Sequence, residues 1–180
     1  MLRSHPRAAG RARRRALCVG INTYRIEGND LNGCVNDART WAGTLTGRFG
    51  FAGEDVKILL DHEATKANVM AALKDLLAGA RPGDVLAFTN SSHGSYIADT
   101  DGDEETYDEV LCPYDIDSNE IVDDELRGLF SSLPGGVRLT VILDNCFSGT
   151  GTRAAAPESW RRRFLSPELL GRPLLKNPAT

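Results

Sequence analysis

The four cysteines of this sequence, Cys18, Cys34, Cys112 and Cys146, include no CxxC pair and stand in dissimilar surroundings. That argues against a zinc knuckle and against the disulfide framework of a small secreted domain. No apolar run approaches the ~20 residues that a membrane-spanning helix needs. The one candidate core for a secretory leader, Ala16 to Ile21, is too short and has no small-residue cleavage site. Internal repeats and low-complexity blocks are also lacking. These absences leave a soluble, cytoplasmic protein with reduced thiols and no membrane partner.

What is present suits one globular domain: 180 residues, 41% hydrophobic and 26% charged. The formal charge of -4 is unevenly spread, because Arg3, Arg7, Arg11, Arg13, Arg14 and Arg15 crowd the start of an otherwise acidic chain. No aromatic residue interleaves with these arginines, and the acidic body repels phosphate. Residues 1–15 therefore read as a solvated basic tail, and nucleic acid is not an expected partner.

Hydrophobic patterning organises the rest. Ala16 to Asn22 is a short apolar run ending in turn residues, which suits a buried parallel strand. Ala38, Trp41, Ala42 and Leu45 recur at helical spacing and predict a helix over about 33–47. A strand follows over 56–60, and Thr65 can cap a helix with Val69, Leu73, Leu76, Leu77 and Ala80 on its apolar face. A third strand is expected over 84–90, then an exposed acidic loop over 99–109. Asp123 and Asp124 open a third helix, where the macrodipole favours carboxylates, and a fourth strand is expected over 137–143. Alternating strands and helices predict a parallel sheet covered on both faces, with right-handed crossovers. From residue 154 onward, four prolines and the triple arginine Arg161–Arg163 read as a linker.

In such sheets, sites form beyond the carboxyl ends of the strands. His93 and Cys146 each follow a strand end, 53 positions apart, close to the separation of histidine and cysteine in caspase-type peptidases. A thiol becomes a nucleophile at neutral pH when a base or a positive field favours the thiolate, and His93 can supply the base. Cys146 sits among Asp, Asn, Ser and Gly, whereas Cys18 lies among Leu17, Val19 and Ile21 and reads as core.

Five segments in order then resemble the type I metacaspases and their bacterial relatives: Leu31 to Ala38, Ser92-His93-Gly94, the acidic Asp101 to Glu109, Pro113-Tyr114-Asp115, and Asp144 to Gly149. The likeness runs from about residue 16 to residue 153. It implies an α/β, caspase-haemoglobinase-like three-layer sandwich with a mostly parallel sheet, and hydrolysis of peptide bonds through an acyl-enzyme. By the same resemblance Cys146 attacks, His93 moves the protons, and the amides of Gly94 and Cys146 hold the oxyanion, each such donor being worth ~3 kcal/mol of barrier. The specificity pocket maps to Cys34, Asp37, Ser91 and Asp144. Two carboxylates there suit a guanidinium or ammonium and repel aspartate, so protein or peptide substrates with Arg or Lys at the cleaved bond are expected. Asn145 and Phe147 stand where the family usually has serine and histidine.

No cofactor is needed for this chemistry, but calcium is an open question. An EF-hand reading of Asp99 to Val110 fails, with glycine at loop position four and valine at position twelve. The resemblance instead implies an activating calcium at Asp108, Asp123, Asp124 and a fourth carboxylate, whose position here is Arg153. A cation at that place removes an oxygen ligand and adds repulsion.

A caspase fold needs about six strands, and only four are legible. The expectation is a catalytic domain over 16–153 that lacks the small-subunit strands: the chain is a fragment, or one product of cleavage within a longer precursor that also supplies the small-subunit segment, or it takes those strands from another chain. Arg153, Arg161, Arg162 and Arg163 are apt self-processing sites for an arginine-specific peptidase. The rival reading is a catalytically idle caspase-like scaffold.

Overall fold

Four of the described strands run side by side in one direction. The computed structural model describes residues 12–98, 107–117 and 119–145. In it β1 (Arg14–Gly20), β2 (Val56–Leu60), β3 (Val85–Ser91) and β7 (Arg138–Asp144) form a parallel sheet in the order β2-β1-β3-β7. Between them lie α1 (Cys34–Phe49), α2 (Lys66–Leu77) and α3 (Asp123–Ser131). A second, antiparallel sheet of β4 (Gly94–Ala98), β5 (Tyr107–Leu111) and β6 (Ile121–Val122) leaves the main one directly after His93.

The pleat of the central strands assigns the two faces. Leu17 and Val19 of β1, with Leu86 and Phe88 of β3, pack among Val69, Leu73, Leu76 and Leu126 of α2 and α3. The alternate residues Ala16, Cys18 and Ala87 face Ala38, Ala42 and Leu45 of α1. The α1 side is built from small side chains, so this helix rides close to the sheet. A methyl group placed on Gly20 would lie 2.3 Å from the Cys34 carbonyl oxygen.

Local capping follows the sequence. The Thr65 side chain accepts the Asn68 amide at 3.2 Å. The Asp115 carboxylate takes the Lys66 amide at 2.8 Å, which ties the Pro113-Tyr114-Asp115 segment to the start of α2. The Lys66 ammonium reaches Glu125 at 2.7 Å and joins α2 to α3.

Two expectations need correction. Part of the predicted acidic loop is a strand, β5, in which Asp108 and Val110 turn inward and are 5% and 0% exposed. The carboxylates of 99–109 hide this alternation when they are counted as a charge run. The first strand also begins at Arg14, two residues before the expected start, and the neighbouring arginines belong to the fold. Arg14 donates to the Phe49 carbonyl at the end of α1, and Arg15 donates to Asp75 and Ala78 at the end of α2, at 3.1 and 2.9 Å. Arg13 reaches the Gly79 carbonyl beside them. Each guanidinium meets the partial negative charge of a helix carboxyl end.

Asp84 closes the same end of the sheet. Its carboxylate accepts the Arg13 amide at 2.8 Å, the Arg81 amide at 3.0 Å and the Arg13 guanidinium at 3.5 Å. These bonds, the Arg13 amide foremost, hold its pKa below the ordinary carboxylate range. The unfolded carboxyl takes up a proton near pH ~4, so the folded state gains stability from ionised Asp84 above that pH and loses it as pH falls through the lowered value. Asp84→Asn should therefore melt below the wild type at neutral pH, with the gap closing in acid. Parallel melting curves across the whole pH range would contradict this.

Candidate active site

The carboxyl ends of β1, β3 and β7 coincide. Gly20 is in register with Ser91, and Ser91 with Asp144, so the residues that follow each strand emerge together. His93 lies two residues past the end of β3 and is 4% exposed.

The loop between β1 and α1 orients it. His93 Nε2 sits 2.8 Å from the Asn29 carbonyl oxygen. A carbonyl only accepts, so Nε2 carries the hydrogen and the basic lone pair of the neutral ring is on Nδ1. The backbone amide of His93 donates to the Tyr24 hydroxyl at 2.9 Å, and the two rings meet at a centroid distance of 5.0 Å. Burial pushes the Tyr24 phenol well above its ordinary pKa, so it stays neutral. Asp61 holds this loop in turn, accepting the amides of Asn22 and Thr23 at 2.8 and 3.0 Å from a left-handed backbone with φ 44°. Leu31 N–H donates back to the Asn22 carbonyl at 2.6 Å.

Beside the histidine, the Ser91 hydroxyl donates to Asp37 Oδ2 at 2.9 Å. Asp37 stands in the first turn of α1, one turn after the fully buried Cys34. Asp144 is exposed at the end of β7, next to Ser91. The four expected pocket residues thus gather at one edge of the sheet, with two carboxylates among them.

The described cysteines are poor nucleophiles. Burial raises the thiol pKa of Cys18, and raises that of Cys112 well above the ordinary value with Glu120 adding to it. Cys18, Cys34 and Cys112 are all buried.

This arrangement can be set beside known proteins. Residues 14–154 match the metacaspase, peptidase C14 domain. The chain belongs to the metacaspase family. It is 43% identical over 147 residues to Metacaspase-1 of Meyerozyma guilliermondii, covering 77% of this chain and 36% of that protein. To Metacaspase-1 of Scheffersomyces stipitis it is 42% identical over 167 residues, covering 88% and 41%. It therefore spans roughly two-fifths or less of the length of these relatives. A Geobacter sulfurreducens protein solved by crystallography superposes with a TM-score of 0.66 at 34% identity, covering 77% of this chain and 52% of that one. The caspase-like α/β sandwich expected from the sequence is the fold observed.

Within this metacaspase domain, the remaining candidate residues divide. Gly94 begins β4 immediately after His93. Cys146, Arg153, Arg161, Arg162 and Arg163 lie outside the described residues. Asp108 is buried in β5, while Asp123 and Asp124 open α3, where Asp123 Oδ1 accepts the Asp124 amide and Asp124 pairs with Arg127. Among the described residues, no group of three or more His, Cys, Asp or Glu side chains is arranged to hold a metal. No helix among the described residues is long and apolar enough to cross a membrane. Sequence reasoning missed the Asn29 carbonyl and Tyr24, because no pattern marks a backbone oxygen 64 residues away as the partner of a histidine.

Proposed function

We propose that this domain is the catalytic part of a cysteine endopeptidase that cleaves after arginine or lysine, with Cys146 as nucleophile and His93 as its base. The observation that carries the reading is the placement of a tautomer-fixed imidazole beside the Asp37–Ser91–Asp144 edge. The buried state of the other three cysteines supports Cys146 as the reactive one.

The Cys146 thiol gives its proton to His93 Nδ1 and attacks the scissile carbonyl carbon. The amides of Gly94 and Cys146 stabilise the oxyanion of the tetrahedral intermediate. Collapse to the thioester breaks the peptide bond, and His93 passes the proton to the departing amine. Water, deprotonated by the same imidazole, then hydrolyses the thioester and returns the thiol. The substrate's basic side chain pairs with Asp37 and Asp144, a guanidinium offering the planar fork that carboxylates match.

β7 is the edge of the described sheet, and its Val141 and Leu143 are 39% and 40% exposed. An apolar strand left at an edge suits the addition of further strands, and small-subunit strands of the same precursor would pair there. Buried thiols with no CxxC pair in the sequence suit a reducing compartment such as the cytoplasm.

The test is a panel of reporter peptides that differ only in the residue before the cleaved bond. Arginine and lysine should be cleaved and aspartate left intact, and Asp37→Asn should lower kcat/KM for arginine by about 10²-fold, chiefly through KM. Preference for aspartate would overturn the specificity. Absence of cleavage across the panel would favour the idle scaffold.

A further inference from the structure

The backbone ladder between β3 and β7 ends at the Ser91–Asp144 pair. Beyond it the two chains carry His93 and Cys146, and every further residue adds two soft dihedral angles. Something other than the sheet must fix the separation of thiol and imidazole.

Asn145, the residue before Cys146, makes that connection with its side chain. Its Nδ2 group donates to the Ser92 carbonyl at 2.7 Å, to the Ser92 hydroxyl at 2.9 Å and to the His93 carbonyl at 3.2 Å. Two hydrogens thus serve three acceptors, one of them shared. Its Oδ1 accepts from Asn90 Nδ2 at 3.1 Å. Asn90 also donates to the Ser92 hydroxyl at 2.9 Å, and that hydroxyl donates to the His93 carbonyl at 3.0 Å. Ser92 is fully buried and Asn90 is 5% exposed, so the mesh is largely shielded from competing water. A hydroxyl has a single hydrogen to donate and could not span both carbonyls.

We propose that Asn145 is a positioning residue, a side-chain clasp that locks the chain immediately before the nucleophile onto the carbonyl of the general base. The inference rests on the reading of Cys146 and His93 as the dyad. Truncating the clasp leaves every strand rung and the Asp37–Ser91 pocket in place, while freeing the thiol to drift from the imidazole. A displacement of about 1 Å can cost 10²-fold in rate.

The experiment compares wild type with Asn145→Ala and Asn90→Ala, following peptide hydrolysis, thermal melting and the pH dependence of Cys146 alkylation by iodoacetamide, with Cys146→Ala identifying the thiol that reacts. Asn145→Ala should lose about 10²-fold in kcat with KM little changed. Its alkylation should shift toward the profile of an ordinary thiol with a pKa of about 8.5. Asn90→Ala, which removes the bonds to Asn145 Oδ1 and to the Ser92 hydroxyl but spares those made by Asn145 Nδ2, should fall between the two, and it carries the test if Asn145→Ala does not fold. A wild-type kcat and alkylation profile in Asn145→Ala, or a change confined to KM, would overturn the clasp and leave the dyad standing. A wild-type Cys146 that already alkylates as an ordinary thiol would remove dyad and clasp together.

Discussion

Replacing Cys146 by alanine is expected to abolish cleavage of an arginine reporter peptide, and replacing His93 by alanine to lower kcat by about 10³-fold. The two losses have different origins. Without the thiol there is no acyl-enzyme, and the buried Cys18, Cys34 and Cys112 cannot substitute because no substrate carbonyl reaches them. Without His93 the thiol remains, but the group that removes its proton and protonates the leaving amine is gone. Because the pair works as a unit, the double variant should be no slower than Cys146→Ala alone. Steady-state kinetics on the three purified variants, with circular dichroism to confirm folding, provides the check. Appreciable cleavage by the Cys146 variant would assign the chemistry to another residue and sink the dyad.

Gly20→Ala is expected to destabilise the domain by about 3 kcal/mol, the upper end of the usual cost of overpacking. The added methyl would meet the Cys34 carbonyl oxygen at 2.3 Å and Ala38 Cβ at 2.8 Å. Both obstacles belong to the first turns of α1, where no side-chain rotation brings relief, so the helix must move off the sheet. For a chain of this size the melting temperature should drop by about 10 °C. The displaced turn also carries Asp37, so KM for an arginine substrate should rise. At Gly43, on the same helix, an added methyl would meet nothing within 4 Å, and Gly43→Ala should be neutral or stabilising by up to about 1 kcal/mol. Equal melting temperatures for Gly20→Ala and wild type would show that α1 tolerates the shift.

Much of this was legible in the sequence because the central strands of the main sheet, β1 and β3, are buried on both faces. Its strands appear as short apolar runs, and the expected spans for β2, β3 and β7 lie within a residue of those observed. The Thr65 cap and the Asp123 helix start could be read from local chemistry alone. The small sheet was not legible. β4 opens with Gly94, which reads only as an oxyanion donor beside His93, and β5 buries a carboxylate at Asp108 where sequence logic expects solvent. The Asp108–Val110 alternation, two inward positions around an exposed Glu109, was the available signal. The candidate site divides in the same way. His93 could be named from its strand end and the carboxylates Asp37 and Asp144 from the metacaspase resemblance, whereas the Asn29 carbonyl, Tyr24 and Asp61 act through distant backbone contacts that leave no trace in residue spacing.

The arginines at the start of β1 have a practical consequence. Arg13, Arg14 and Arg15 fasten the entering chain to the helix ends at the amino edge of the sheet, and the seven residues of β1 then cross it toward Gly20 and the loops that carry His93 and Asp37. At about 3.3 Å per residue this crossing measures ~20 Å. An affinity tag, fluorophore or surface tether joined just before Arg13 would therefore leave the domain at the pole opposite the carboxyl ends of the strands, and the protein could be immobilised there with the proposed site facing solution.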